Sequence, residues 1–173
     1  MSANYKQLEN FTRRFEALSE QHQDAFMEAC CKELAARLLA KVIKRTPVGD
    51  YSKEVTVVAK KDSKKHKKGE TYTKKVSKRR GGTLRRGWTA GTKKSATDYA
   101  NSLNLHHFGD TYQIDIINPV EYASYVEYGH RTANHQGWVP GHFMLTISEE
   151  EIRRSSQKIL QNKLSKFMKD VFP

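Results

Sequence analysis

The chain has 173 residues, with 31 Lys plus Arg against 19 Asp plus Glu and a formal net charge of +12. That length fits one modest domain, residues 1–173, and excludes a large multidomain enzyme. Leu, Ile, Val and Phe make up 35 of the 173 residues, a share at the border of what lets a chain bury a sufficient core alone, so part of it stays loose or gains burial from partners.

In chain order, Leu8, Phe11, Phe15 and Leu18 step by threes and fours and predict a first helix. A second, longer one follows, with Phe26, Cys30, Leu34, Leu38 and Val42 in steps of four, widened by Ala35, Leu39 and Ile43, and ends before Thr46-Pro47. Cys30 and Cys31 are adjacent on this helix. A disulfide between them would be strained, so two buried thiols in a reducing compartment are expected. Residues 50–80 hold 12 Lys or Arg against 4 Asp or Glu, a net +8 that leaves +4 for the rest of the chain. Val55-Thr56-Val57-Val58 and Thr71-Tyr72-Thr73 have strand composition on either side of KKDSKKHKKG. An inserted β-hairpin with a lysine-rich tip or a disordered loop both fit.

TLRRGWTAG after Gly81-Gly82 is a short strand candidate, and Thr92–Asp110 shows little periodicity. From Tyr112 to Ile117 a strand is predicted, because Tyr112, Ile114 and Ile116 alternate with Gln113 and Asp115 before Asn118-Pro119 turns the chain. A short helix from Val120 to Tyr128 would stop at Gly129. Beyond Pro140, the apolar residues Leu145, Ile152, Ile159, Leu160, Leu164, Phe167, Met168 and Val171 predict a long last helix, with Glu149–Glu151 near its start and Lys163, Lys166 and Lys169 near its end. The fold class is α+β: N-terminal helices and a long C-terminal helix packed on a small antiparallel sheet. No apolar run approaches the roughly 18 residues that span a bilayer, and MSANYKQLEN lacks the layout of a secretion signal, so a soluble, cytoplasmic chain with no membrane partner is expected.

Little here points to chemistry. His130, His135 and His142, with His106 and His107 upstream, lack the paired ligand spacing of a zinc site, and no HExxH or CxxC occurs, so neither metal nor cofactor is expected. No Ser, Cys or Thr stands beside an obvious base, Glu121 and Glu127 do not resemble an acid/base pair, and an enzyme is not expected. Glu127 and Arg131, four apart, are expected to form a local ion pair. Tyr122, Tyr125 and Tyr128 lie among Val120, Ala123 and Val126, a mixture that suits a core or a subunit contact better than a base-stacking platform.

Two segments carry a family resemblance. The first runs from Ala40-Lys41 through Thr46-Pro47-Val48-Gly49 and resumes at Gly82-Thr83-Leu84-Arg85-Arg86-Gly87-Trp88. The second is Asn118-Pro119-Val120-Glu121-Tyr122-Ala123-Ser124-Tyr125-Val126-Glu127-Tyr128-Gly129-His130-Arg131, followed by Pro140-Gly141-His142-Phe143-Met144-Leu145. Together they resemble the neck or tail-completion proteins of tailed bacteriophages, over about residues 30–165. In that pattern Pro-Val runs almost directly into Thr-Gly-x-Leu-Arg, so the basic segment 50–80 is an insertion that inherits no role from the family. The resemblance implies an α+β virion protein with no chemistry of its own. It would be assembled in the host cytoplasm as a ring between the portal complex and the tail, a hexamer in our reading, touching head-closure or adaptor proteins on one side and tail terminator or tube proteins on the other.

Two groups of candidate contact residues result. Tyr122, Tyr125, Val126, Glu127, Tyr128, Arg131, Trp138 and Phe143 are assigned to the subunit interface or the core. Lys60, Lys61, Lys64, Lys65, Lys67, Lys68, Lys74, Lys75, Lys78, Arg79 and Arg80 are assigned to packaged DNA or an acidic protein partner, with a solvated face as the plain alternative. The competing function is a free-standing, sequence-independent nucleic-acid-binding protein, supported by the +12 charge.

Overall fold

Helix α1, Glu20–Arg45, buries Cys30, Ala35, Leu39 and Val42 along one side, while Leu34 and Leu38 of the expected four-step row are only half-buried beside them. The computed structural model describes residues 20–77, 79, 81–109 and 111–171; the helix expected at Leu8–Leu18 lies outside them. Helix α1 stops where Pro47 follows Thr46, and Thr46 Oγ1 donates back to the Val42 carbonyl at 2.6 Å.

After α1 come strands β1 (Lys53–Val58) and β2 (Thr71–Val76), helices α2 (Thr83–Gly87) and α3 (Ala96–Asn101), and strands β3 (His106–Phe108) and β4 (Thr111–Gln113). Helix α4 (Ala123–Tyr128), strands β5 (Gly129–Arg131) and β6 (Trp138–Pro140) and helix α5 (Met144–Val171) complete the order. The class is α+β. The expected small sheet is instead three separate antiparallel pairs, β1-β2, β3-β4 and β5-β6.

Helix α5 returns antiparallel along α1. Arg45 donates to Ser148 Oγ (2.6 Å) and Glu151 Oε1 (2.7 Å), Lys41 to Glu151 Oε2 (2.7 Å) and Lys163 to Glu33 Oε2 (3.2 Å), while Phe26 meets Phe167 with ring centroids 4.6 Å apart. The core lies at the end of this pair away from Phe26 and Phe167, where Ala35, Leu39 and Val42 meet Leu84, Trp88, Ala100 and Met144. Leu39, Val42 and Met144 are fully buried, each worth about 1.5–3 kcal/mol.

The helix clasp has an acid limit. Hydrogen bonds from Arg37 and then Lys163 hold the Glu33 carboxyl below its ordinary range, and those from Lys41 and Arg45 do the same for Glu151. A carboxylate with a lowered folded-state pKa stabilises above its unfolded value, and that contribution is lost as the pH falls through the folded one. The melting temperature should therefore drop between neutral pH and about pH 3, and Glu151→Gln should make the drop shallower. An equal drop in that variant would remove the clasp from the account.

Three predicted elements differ. Residues 83–87 are helical rather than extended, because Gly82 takes a left-handed φ of 89° that turns the chain and contacts far along the sequence then hold the turn. The aperiodic stretch contains α3, capped by Ser95, whose Oγ accepts from Asp98 N at 3.1 Å. The strand expected at Tyr112–Ile117 pairs only through Gln113, since β3 offers three residues. The even-numbered residues from Tyr112 to Val120 nevertheless stay half-buried and the odd ones exposed, and Ile114 and Ile116 pack on the core. Cys30 is buried but Cys31 only half-buried; both are free, and burial pushes both thiols up.

Residues 53–76 form the hairpin rather than a disordered loop, with Lys53 opposite Val76 and Val58 opposite Thr71. Among the described residues, no helix or other strand makes more than marginal contact with it. At its base the chain ends meet: a Cβ on Gly81 would overlap the Gly49 carbonyl oxygen. Deleting residues 50–80 and joining Gly49 to Gly81 should keep the helical circular dichroism and a cooperative melt. Loss of cooperativity would show that the hairpin carries part of the core.

Candidate functional site

The residues of the two motif segments meet at one place. Thr46, at the end of α1, is fully buried. Its Oγ1 accepts from Trp88 Nε1 at 2.8 Å, and its carbonyl accepts from Arg85 Nε and Nη2 at 3.0 and 2.6 Å. A buried indole N–H needs such an acceptor. On the other side of α2, Asn118 Nδ2 donates to the Leu84 carbonyl at 2.9 Å, and Gly87 sits so close that any Cβ there would overlap the Asn118 side chain. The Thr-Pro, Leu-Arg-Arg-Gly-Trp and Asn-Pro-Val segments are thus one tertiary junction.

The tyrosine block builds a second junction. Glu127 is 5% exposed. Its carboxylate accepts from Leu145 N (2.9 Å), Thr146 N (2.9 Å) and Thr146 Oγ1 (2.8 Å). It therefore occupies the N-terminus of α5, where unpaired amides and the helix dipole favour negative charge. The expected pair with Arg131 is not made: Gly129, at φ 87°, ends α4 and sends the chain into β5, so the four-residue spacing no longer follows a helix face. His142 N and Phe143 N return to the Val126 and Glu127 carbonyls at 2.8 and 3.0 Å. A Cβ on Gly129 would overlap the Val139 carbonyl, and one on Gly141 the Glu127 carbonyl.

What these junctions hold up is an exposed aromatic face. Tyr125 is 59% exposed, Trp138 60% and Tyr128 61%, and Tyr122, Val139, Phe143 and Ile147 are exposed with them. Of the residues assigned to interface or core, these aromatics are therefore on the surface. Val126 is half-buried against the core, Glu127 is buried, and Arg131 is exposed on β5 opposite Trp138. Beside the face lies a groove of about 330 Å³, lined by Val48, Tyr51, Tyr122, Tyr125, Val139 and His142 among others. Tyr125 and His130 rings tilt together across it at 5.9 Å.

The lysine group sits apart from this face. Lys60, Lys61, Lys64, Lys65, Lys67 and Lys68 are all exposed on the hairpin tip, Lys74 and Lys75 on β2 and Arg79 at its base; Lys78 and Arg80 lie outside the described residues. The tip is an ordered turn. Asp62 Oδ1 accepts from Lys68 N at 2.7 Å, Glu70 Oε2 from Lys67 N at 2.9 Å, and Ser63 N donates to the His66 carbonyl at 2.8 Å. The His66 ring stacks on Tyr72 with centroids 4.0 Å apart. The Lys67 amide, and secondarily His66, hold the Glu70 carboxyl below its ordinary range.

Sequence reasoning missed the Thr46–Arg85–Trp88 junction and the capping role of Glu127. A tryptophan in an apolar setting signals that its N–H needs a partner, but nothing in the spacing named Thr46 as that partner. Among the described residues, no group of three or more His, Cys, Asp or Glu is placed to hold a metal ion, and no helix is long and apolar enough to cross a membrane.

No curated protein and no solved structure matches the chain. The family model described as "Bacteriophage HK97-gp10, putative tail-component" matches residues 9–79 and 72–129, which reach from before α1 through α4 and include both halves of the junction around Thr46. The chain belongs to the HK97-gp10-like family of structural phage tail components.

Proposed function

We propose that this tail component is a ring-forming subunit of the head-to-tail connector, acting at the neck or in tail completion. The observation that carries the reading is the exposed aromatic face. Tyr122, Tyr125, Tyr128, Trp138 and Phe143 are all exposed, and tyrosine and tryptophan are enriched where subunits meet. The Glu127 cap and the two close-packed glycines hold this face still, so a partner binds it without an ordering cost. In this reading each copy sets its face against a neighbour in a hexameric ring, and the ring ends meet head-closure or adaptor proteins and tail terminator or tube proteins. The family match gives no support to the free-standing nucleic-acid-binding alternative.

Sedimentation of the purified chain tests self-association. The wild type is expected to form a discrete closed oligomer, and the Tyr125→Ala/Trp138→Ala double variant a monomer with an unchanged melt. A wild type that stays monomeric at its highest soluble concentration would contradict ring formation through this face.

A further inference from the structure

Several cations of the two long helices are paired with carboxylates, whereas the six lysines of the hairpin tip are not. On the helices, Lys32 pairs with Glu28, Arg37 and Lys163 with Glu33, Lys41 and Arg45 with Glu151, and Arg153 and Arg154 with Glu150. Among the described residues, no ion pair reaches Lys60, Lys61, Lys64, Lys65, Lys67 or Lys68. The reason is visible in the turn. The only acids within it, Asp62 and Glu70, are engaged by the amides of Lys68 and Lys67 and by His66, so the carboxylates build the turn instead of neutralising it.

We infer that the hairpin tip is a sequence-independent binding element for the phosphate backbone of duplex DNA. Its partner must be a polyanion, because six unpaired ammonium groups stand within nine residues of ordered chain. An acidic protein is the weaker candidate. Protein interfaces have an apolar centre and are depleted in lysine, and the tip has no exposed apolar side chain between Lys60 and Glu70. Duplex DNA needs no such centre, since lysine binds phosphate by charge and by releasing condensed counterions. The shape also suits it: two strands of six residues reach roughly 20 Å from the body, and a two-stranded ribbon enters a major groove about 12 Å wide. Residues 59–70 contain no Arg, Asn or Gln for bidentate base contacts, and ammonium groups bound to phosphate carry no sequence information, so the contact positions without specifying.

The inference stands on the hairpin alone; if the connector reading also holds, the DNA in reach is the packaged genome. Its test is fluorescence anisotropy of the full chain with a labelled mixed-sequence duplex from 50 to 200 mM salt, against a variant with Lys60, Lys61, Lys64, Lys65, Lys67 and Lys68 all changed to Gln. Neutralising six phosphate contacts should make the slope of log affinity against log salt shallower by about five. The wild type should lose roughly a thousandfold in affinity across that range through these contacts. The melt and sedimentation of the variant should match the wild type, which separates this test from that of the aromatic face. Equal slopes for the two proteins would overturn the inference. So would polyglutamate of matched charge competing as well as unlabelled duplex, an outcome that would assign the tip to an acidic protein partner.

Discussion

Glu127→Ala is expected to lower folding stability by about 3 kcal/mol and the melting temperature by roughly 6–12 °C for a domain of this size. The substitution removes the acceptor for two backbone amides and one hydroxyl at the start of α5, all within 2.9 Å of the carboxylate. Hydrogen bonds to a charged group contribute about 1.5–3 kcal/mol each, and a buried donor left unpaired costs about 1–3 kcal/mol; water entering the gap returns part of that. The loss also takes a negative charge from a helix N-terminus. Glu127→Gln keeps the acceptor for Thr146 but loses the charge and sets an NH2 donor against Leu145 N, so an intermediate loss of about 2 kcal/mol is expected for it. Paired thermal melts measure both, and an unaltered melt in Glu127→Ala would mean that the α4–α5 junction does not hold the fold.

Two positions along the chain, the opposite behaviour is expected. Tyr125→Ala, like Trp138→Ala, should leave the melt nearly unchanged, since each ring is already more than half in water and surface truncations fall within about 0.5 kcal/mol. Either should cripple joining of heads to tails. An aromatic at the centre of an interface commonly carries about 2 kcal/mol or more of association, and a closed ring repeats that loss at each contact. The readout is the ratio of tailed to tailless heads when each variant complements a null. Fully joined particles from both variants would remove the aromatic face from the assembly account. A fall of many degrees in their melting temperature would instead make these rings part of a single subunit's core.

The two long helices were legible because a four-residue apolar spacing needs only the local helix period, and because Thr46-Pro47 is a stop written into the backbone. The alternation at Tyr112, Ile114 and Ile116 correctly placed the inward side chains even where the ladder is missing, since burial depends on the extended backbone and pairing depends on the partner's length. Residues 83–88 were not legible. Their helix depends on Thr46 and Asn118, more than thirty positions away in either direction, and no local propensity encodes such contacts. The Ser95 cap of α3, three residues before Asp98, was a local signal that went unread. For Glu127, spacing identified a neighbour at Arg131, but the pairing rule assumes a continuous helix, and Gly129 ends it. The same glycine turns the chain toward Gly141 and so brings the carboxylate to the start of α5. In the hairpin, charge counting found the lysines, while only the turn geometry shows that Asp62 and Glu70 are committed to amides.

The central claim is that the aromatic face closes a connector ring, and a reconstruction of the neck of purified particles at residue resolution tests it most directly. The account predicts this chain in a closed ring between the portal complex and the tail, with Tyr122, Tyr125 and Trp138 of every copy buried against a neighbouring subunit. Copies found elsewhere in the tail, or a neck ring in which those three side chains remain in solvent, would contradict it.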